Sequence, residues 1–152
     1  MGIQDWLNRK GREKSASNIR DDLRPLIAAA RADYNIGHEE FALIKAGKGS
    51  DHALLVQRFR SAKERVFEAQ QKLYKDITVW STLPPERVFN DVILPALISG
   101  ELVAQSDSCF GYVVVAAYRV CEAAAQQKGV SIEPHTPTEI LKIVKDWPDL
   151  YK

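Results

Sequence analysis

Apolar residues recur along the first half of the chain at alternating spacings of four and three, the pattern of an α-helix with one buried face. The first series is Leu23, Ile27, Ala30, Tyr34, Gly37, Phe41 and Ile44. The second is Leu55, Phe59, Ala62, Val66, Ala69 and Leu73, and it is widened by Val56, Phe67, Tyr74 and Ile77. A short connection with Gly47 and Gly49 separates them. The pattern predicts an antiparallel hairpin of two long helices, about 19–46 and 51–79, of which the second is about 40 Å long.

Polar residues mark the predicted start of the first long helix. Ser17 or Asn18 is expected to cap it, and Asp21 and Asp22 then lie in its first turn, where the helix dipole favours acidic side chains. Pro25 requires either that the helix starts close to it or that the helix kinks there.

Residues 1–16 are predicted to form an N-terminal arm, and 17–152 a single helical-bundle domain. The arm combines an apolar patch with a basic run: Ile3, Trp6, Leu7, Arg9, Lys10, Arg12 and Lys14. One interpretation is a terminus that is poorly ordered or packs back on the body. The other is an arm that docks on a partner or a membrane surface, with Trp6 in the contact.

The second half of the chain predicts three shorter helices. The first opens at 81–86, is kinked or split by Pro95 and ends at Gly100. The next is capped by Ser106 or Asp107 and ends at Gly129, and it is apolar nearly all round, as a central core helix would be. Its segment 113–115 could also form a buried strand. A capping box at 136–139 opens the last helix, which ends at 147–148. The predicted fold is all-α, a helical bundle of about five helices built on the long hairpin.

Composition supports a single globular domain. The chain has 152 residues, of which 45% are hydrophobic and 27% charged. Cys109 and Cys121 are twelve residues apart, about 18 Å on one helix, and therefore cannot form a disulfide with each other. We expect buried thiols in a reducing compartment, and hence a cytoplasmic protein. No secretory leader and no stretch long enough for a transmembrane helix is visible.

Charge is unevenly distributed between the two halves of the chain. Residues 1–75 hold 15 Lys/Arg and 10 Asp/Glu, whereas residues 76–152 hold 6 and 10. Basic side chains follow the second long helix and its connection to the first, and the predicted partner contacts are Lys45, Lys48, Arg58 and Arg65, together with Trp6. Nucleic-acid binding through this basic face is an alternative to a solvated helix surface.

Motifs for metal or cofactor chemistry are not recognisable in the sequence. His38, His52 and His135 have no cysteine neighbours at zinc spacing, and no Glu-x-x-His pair appears, so we expect neither a metal nor a cofactor. Cys109 lies at a predicted helix start, where a thiol can be acidified. The alternative for it is a core cysteine after a helix cap.

The segment Arg31-Ala32-Asp33-Tyr34-Asn35-Ile36-Gly37-His38 resembles the Arg-x4–6-His motif of HEPN-domain ribonucleases. Those proteins are also small helical bundles that usually dimerise. The resemblance implies metal-independent RNA cleavage, with His38 as acid or base and Arg31 holding the phosphate. Ala32 departs from the polar residue that often follows the arginine, and the motif lies on the first long helix rather than a late one. The alternative is a solvated helix face.

These observations favour a non-enzymatic protein–protein interaction module, such as an adaptor, an inhibitor or immunity-type protein, or an assembly protein. The predicted stripes are wider than a two-helix seam requires, so they should bury surface against later helices or against a second copy. Homodimerisation is expected on this basis. The alternatives are a HEPN-like ribonuclease using Arg31 and His38, and a nucleic-acid-binding helical protein.

Overall fold

The computed structural model describes residues 2–45, 47, 52–81, 83–132, 139–140 and 142. Its helices are α1 (Ile3–Lys45), α2 (His52–Lys75), α3 (Pro85–Val88), α4 (Leu94–Ile98) and α5 (Phe110–Lys128). Two π-helical turns, Asp76–Trp80 and Phe89–Ile93, follow α2 and α3. No strand occurs among these residues, so the all-α class is confirmed, and the segment 113–115 is helical rather than extended.

Helix α1 begins far earlier than its predicted start. It runs unbroken from Ile3 through Pro25 to Lys45, so the cap predicted at Ser17 or Asn18 is wrong. The weakest helix former in the preceding stretch is Gly11, which costs about 1 kcal/mol relative to alanine and is tolerated. Asp22 is accordingly not in a first turn. The division into an arm over 1–16 and a body over 17–152 stays a prediction.

Helices α1 and α2 form the predicted antiparallel hairpin, and ion pairs across it show the register. Asp22, Asp33 and Glu39 of α1 pair with Lys72, Lys63 and Arg58 of α2, respectively. From Asp22 to Asp33 to Glu39, α1 advances by eleven and then six residues. The paired residues of α2 run in the opposite direction, backward by nine and then five residues, as antiparallel helices require. We call these three pairs the ion-pair ladder.

The buried stripe of α2 is narrower than predicted, whereas that of α1 is wider. Val56 and Phe67, assigned to the widened stripe of α2, are 41% and 60% exposed. The residues that do pack inward from α2 are Ala62, Val66, Ala69 and Leu73, with Ile77 in the following turn. On α1 the buried face also includes Ile19 and Leu26, which the predicted stripe omitted.

Helix α5 is the centre of the core, as its all-round apolar pattern predicted. Ten of its residues are buried, and it packs against α1, α2 and the segment 85–98. Tyr118 meets the ring of Phe89 edge-on at 5.2 Å. The amide of Gln70 donates to the carbonyl of Ala116 at 3.2 Å, so a polar contact also links α2 to α5.

The predicted third helix is split, and glycines end the segments where expected. Pro95 lies in the first turn of α4, directly after the π-helical turn Phe89–Ile93, so the regular α-helical pattern is interrupted just before the proline. Gly100 and Gly129 adopt left-handed conformations with φ of 80° and 69°, which glycine adopts without strain. Counting 85–98 as one segment gives four helices in the described ranges. The predicted last helix lies mostly outside them, although Ile140 is helical and buried.

Candidate interaction surface

Two of the predicted contact residues, Arg58 and Arg65, lie together on a groove between α1 and α2. They are seven residues apart on α2 and share a face. Trp6 lies 26 residues before Ala32, about 39 Å along the helix, so it belongs to a separate surface. Lys45 is the last residue of α1, and its side chain lies outside what the structure describes, as does all of Lys48.

The groove consists of two shallow depressions on the outer side of the hairpin. Their volumes are about 580 and 470 Å³, and both are lined by Ala32 and Arg65, so they meet there. We call the combined surface the hairpin groove, and its defining residues are Ala28, Ala32, Glu39, Arg58, Arg65 and Lys72. Because alanines make up much of its floor, the backbone of another helix could approach closely.

One cation in the hairpin groove has no partner within the described part of the chain. Arg58 donates to Glu39 at 2.8 Å, and the ammonium of Lys72 lies 3.5 Å from Asp22. Arg65, between them, makes neither an ion pair nor a hydrogen bond with any described residue. The groove therefore presents an uncompensated guanidinium at its centre, where an incoming carboxylate could bind it in a bidentate manner.

Beneath the groove, Asp22 is a buried carboxyl group next to a second carboxyl group. It is 2% exposed, and its Oδ2 has no hydrogen-bond partner among the described residues. Burial raises the pKa of Asp22 most, a hydrogen bond with Asp76 and the charge of Asp76 add to the increase, and Lys72 opposes them; together they raise this pKa to about 7. Near neutral pH, the Asp22 carboxyl group is therefore protonated in a substantial fraction of the molecules.

Asp33 is a second buried carboxyl group on α1, 5% exposed, and it is held differently. Its Oδ2 accepts a hydrogen bond from the hydroxyl of Tyr112 at 2.8 Å and lies 3.6 Å from the ammonium of Lys63. Burial and the bond to Asp33 raise the pKa of Tyr112, so this hydroxyl remains a donor. The contact ties α1 to α5.

The sequence analysis missed both buried carboxyl groups. A signal for them exists: Asp22 lies between Ile19 and Leu26 at helical spacing, and a lysine of α2 stands opposite each carboxyl group. An acidic residue inside an apolar stripe, matched by a cation on the antiparallel neighbour, would have identified them.

Arg31 and His38 have local partners of their own. Arg31 donates to Asp107, just before α5, at 3.0 Å, and His38 Nε2 lies 2.8 Å from the hydroxyl of Tyr34. Asp107 also accepts from the backbone of Cys109, and these bonds hold the pKa of its carboxyl below the usual range. Arg31 thus fastens the start of α5 to α1. The ribonuclease interpretation, which brings together residues of two protomers, stays a prediction.

Cys109 does not have an acidified thiol. The residue is buried, and burial raises the pKa of its thiol, as does hydrogen bonding to Asp107. The interpretation as a reactive cysteine is therefore wrong, because the expected helix-start effect is outweighed by burial. Burial likewise raises the pKa of Cys121, which lies inside the core.

The part of the chain that the structure describes contains neither a metal-ligand cluster nor a membrane-spanning helix. Nowhere in those ranges do three or more His, Cys, Asp or Glu side chains cluster as metal ligands would. None of the helices in the same ranges has an apolar stretch able to cross a membrane. Comparisons with family models, with curated proteins and with solved structures found no match for this chain.

Proposed function

We propose that the protein is a non-enzymatic, cytoplasmic interaction module of the adaptor, inhibitor or assembly type that binds a protein partner through the hairpin groove. The observation that carries the proposal is Arg65, an uncompensated arginine at the centre of a groove with a small-residue floor. Arginine is enriched among the residues that dominate protein interfaces. Small floor residues let a helix lie close enough for its carboxylates to reach the arginine.

A protein partner fits the groove's charges better than nucleic acid does. Arg58 and Lys72 are already paired with carboxylates, and Glu39 and Glu68 line the same surface. A phosphate backbone needs several free cations in a row, because its affinity comes from phosphate neutralisation. One free arginine flanked by neutralised pairs is suited instead to a single carboxylate on a partner helix. A second copy of this chain is one possible partner, so homodimerisation is part of the proposal.

Site-specific crosslinking in the native cell tests the proposal. A photoreactive amino acid replaces Ser61, which lines the groove, and the crosslinked protein is identified by mass spectrometry. The expected result is one recurring protein partner, whose crosslink is reduced at least about tenfold by Arg65→Glu because an interfacial arginine is replaced by a repelling charge.

Arg60→Glu is the matched control. It makes the same charge change on the same helix at an exposed position that faces away from the groove, and it should leave the crosslink unchanged. Equal loss in both variants, or no protein crosslinked from Ser61, would contradict the proposal. Loss of the crosslink on nuclease treatment would favour the nucleic-acid alternative.

The ribonuclease alternative has its own test. If Arg31 and His38 cleave RNA, the purified protein degrades single-stranded RNA, and either Arg31→Ala or His38→Ala abolishes the activity. On the proposal made here, the wild-type protein leaves RNA intact.

A further inference from the structure

The first residues of α1 extend beyond the packed body. Every side chain described between Gly2 and Lys14 is exposed, and Ser15 is the first residue of the helix to be buried. Residues 3–14, called the arm helix below, correspond to about 18 Å of helix. Because this segment is already helical, a binding surface on it would not have to order upon contact.

One face of the arm helix carries apolar and basic side chains together. Ile3, Trp6 and Leu7 are 80%, 48% and 49% exposed, an unusual concentration of large apolar groups in water. Lys10 and Lys14 follow at the same helical spacings of three and four residues. On an ideal helix these five side chains fall within an arc of about 100°. Asp5 and Glu13 project outside that arc, and the carboxylate of Glu13 lies 3.9 Å from the ammonium of Lys10 in an exposed ion pair, which is weak in water.

The charge of the arm helix favours an anionic counterpart. It holds four basic residues, Arg9, Lys10, Arg12 and Lys14, and two acidic ones. The ammonium of Lys10 lies 5.9 Å from the centre of the Trp6 ring, so its aliphatic chain runs along the apolar patch. With the ring inserted among acyl chains, a lysine in this position can extend its ammonium to the phosphates at the surface.

We propose that the arm helix binds a lipid surface of anionic composition, peripherally and reversibly. Three apolar side chains are too few for a standard protein interface, which uses about 20–30 residues on each side. They suffice for shallow insertion when basic residues add attraction to anionic headgroups. A cytoplasmic location would place the arm helix opposite an anionic leaflet. This surface is separate from the hairpin groove, so either proposal can fail without the other.

Co-sedimentation of the full chain with lipid vesicles tests the inference. One vesicle preparation contains phosphatidylcholine alone, and the other replaces a quarter of it with phosphatidylglycerol. The expected result is binding to the mixed vesicles at low salt, loss of most of it at about 0.5 M salt, where charges are screened, and none to phosphatidylcholine alone. Equal binding to both preparations, or to neither, would overturn the proposal.

Two arm variants and one control locate the contact. Trp6→Ser removes the inserted ring, and Lys10→Glu with Lys14→Glu reverses the charge; each should weaken vesicle binding at least about tenfold. Arg60→Glu with Lys75→Glu makes the same charge change at exposed positions of α2 and should bind within about twofold of wild type. Circular dichroism confirms that each variant remains folded. If the control loses as much binding as the charge-reversed arm, net charge rather than the arm helix is responsible, and the proposal is wrong.

Discussion

Asp22 and Asp33 are placed almost identically and are stabilised differently. They lie eleven residues apart on α1, both nearly covered, and each faces a lysine of α2 at 3.5 or 3.6 Å. Each also leaves one oxygen without a partner in the described structure. The two carboxyl groups differ in their other neighbour. Asp33 accepts a hydrogen bond from the hydroxyl of Tyr112, whereas Asp22 interacts with the carboxyl group of Asp76.

The comparison shows that equal burial and equal cations do not give equal chemistry. A hydroxyl donor stabilises a carboxylate, whereas a second carboxyl group can form a hydrogen bond only if one of the two is protonated. Asp22, with a pKa of about 7, therefore couples this end of the hairpin to pH. Asp33 is a fixed link between α1 and α5.

Removing the hydroxyl donor should have the largest effect. Tyr112→Phe leaves the Asp33 carboxylate buried with only an exposed lysine nearby, and we expect a loss of about 2–3 kcal/mol in unfolding free energy. Urea unfolding at pH 7 measures it. Tyr74→Phe is the control, since the Tyr74 hydroxyl makes no hydrogen bond with a described residue. A Tyr112→Phe protein as stable as the control would show that the hydroxyl contributes nothing.

The second-largest expected effect is a pH dependence of the unfolding free energy, which should arise from Asp22 and not from Asp33. The pKa of Asp22 in the folded chain, about 7, exceeds its ordinary value of 3.8, so the native state holds a proton that the unfolded chain releases. This contribution is fully present at low pH and is lost as the pH rises from about 4 to 7. We expect the unfolding free energy to fall by about 1–2 kcal/mol between pH 5.5 and 8.

Two asparagine variants show which carboxyl group causes the fall of unfolding free energy with pH. The measurement is the difference between each variant and wild type, so that contributions common to both proteins cancel. Asp22→Asn should remove the fall, while Asp33→Asn should retain it. An unchanged slope in Asp22→Asn would mean that another group is responsible.

The lysines should give the smallest effect. Lys72 and Lys63 are mostly exposed, at 67% and 66%, so replacing either by methionine should cost only about 0.5 kcal/mol at neutral pH. The variants should differ in their pH profiles, because the charge of Lys72 lowers the pKa of Asp22. Lys72→Met should shift the midpoint of the stability change to higher pH, and Lys63→Met should not. Identical profiles would argue against a specific link between Lys72 and Asp22.

The elements that depend on apolar periodicity were predictable. The hairpin, the central helix α5 and the stops at Gly100 and Gly129 all follow from spacing and local backbone preference. The start of α1 was not predictable, because Ser17 can cap a helix but nothing before it prevents one. The burial of Val56 and Phe67 was overestimated because periodicity alone does not show how wide a stripe of the helix its neighbours cover.

The candidate sites were predictable only in part. Arg58 and Arg65 were recognised as neighbours from their seven-residue spacing, but the groove requires the second helix as well. That Arg65 is unpaired while Arg58 is paired depends on Glu39, nineteen residues before Arg58, which spacing within one helix cannot indicate. The two buried acids were not recognised: Asp22 was expected in a first helical turn, and apolar periodicity alone does not show which charged residues are covered.

The ion-pair ladder marks which residues of the two long helices stand opposite one another. A shift of α2 by one turn would separate two buried acids from their lysines and would also displace the buried residues Ala62, Val66, Ala69 and Leu73, so packing and charge together set the alignment. The connection between the two helices therefore does not have to set their alignment. Lengthening it near Gly47, whose φ is 70°, should cost only chain-closure entropy, which grows slowly with length. That position is a suitable place to insert a fluorescent or affinity label without displacing either surface.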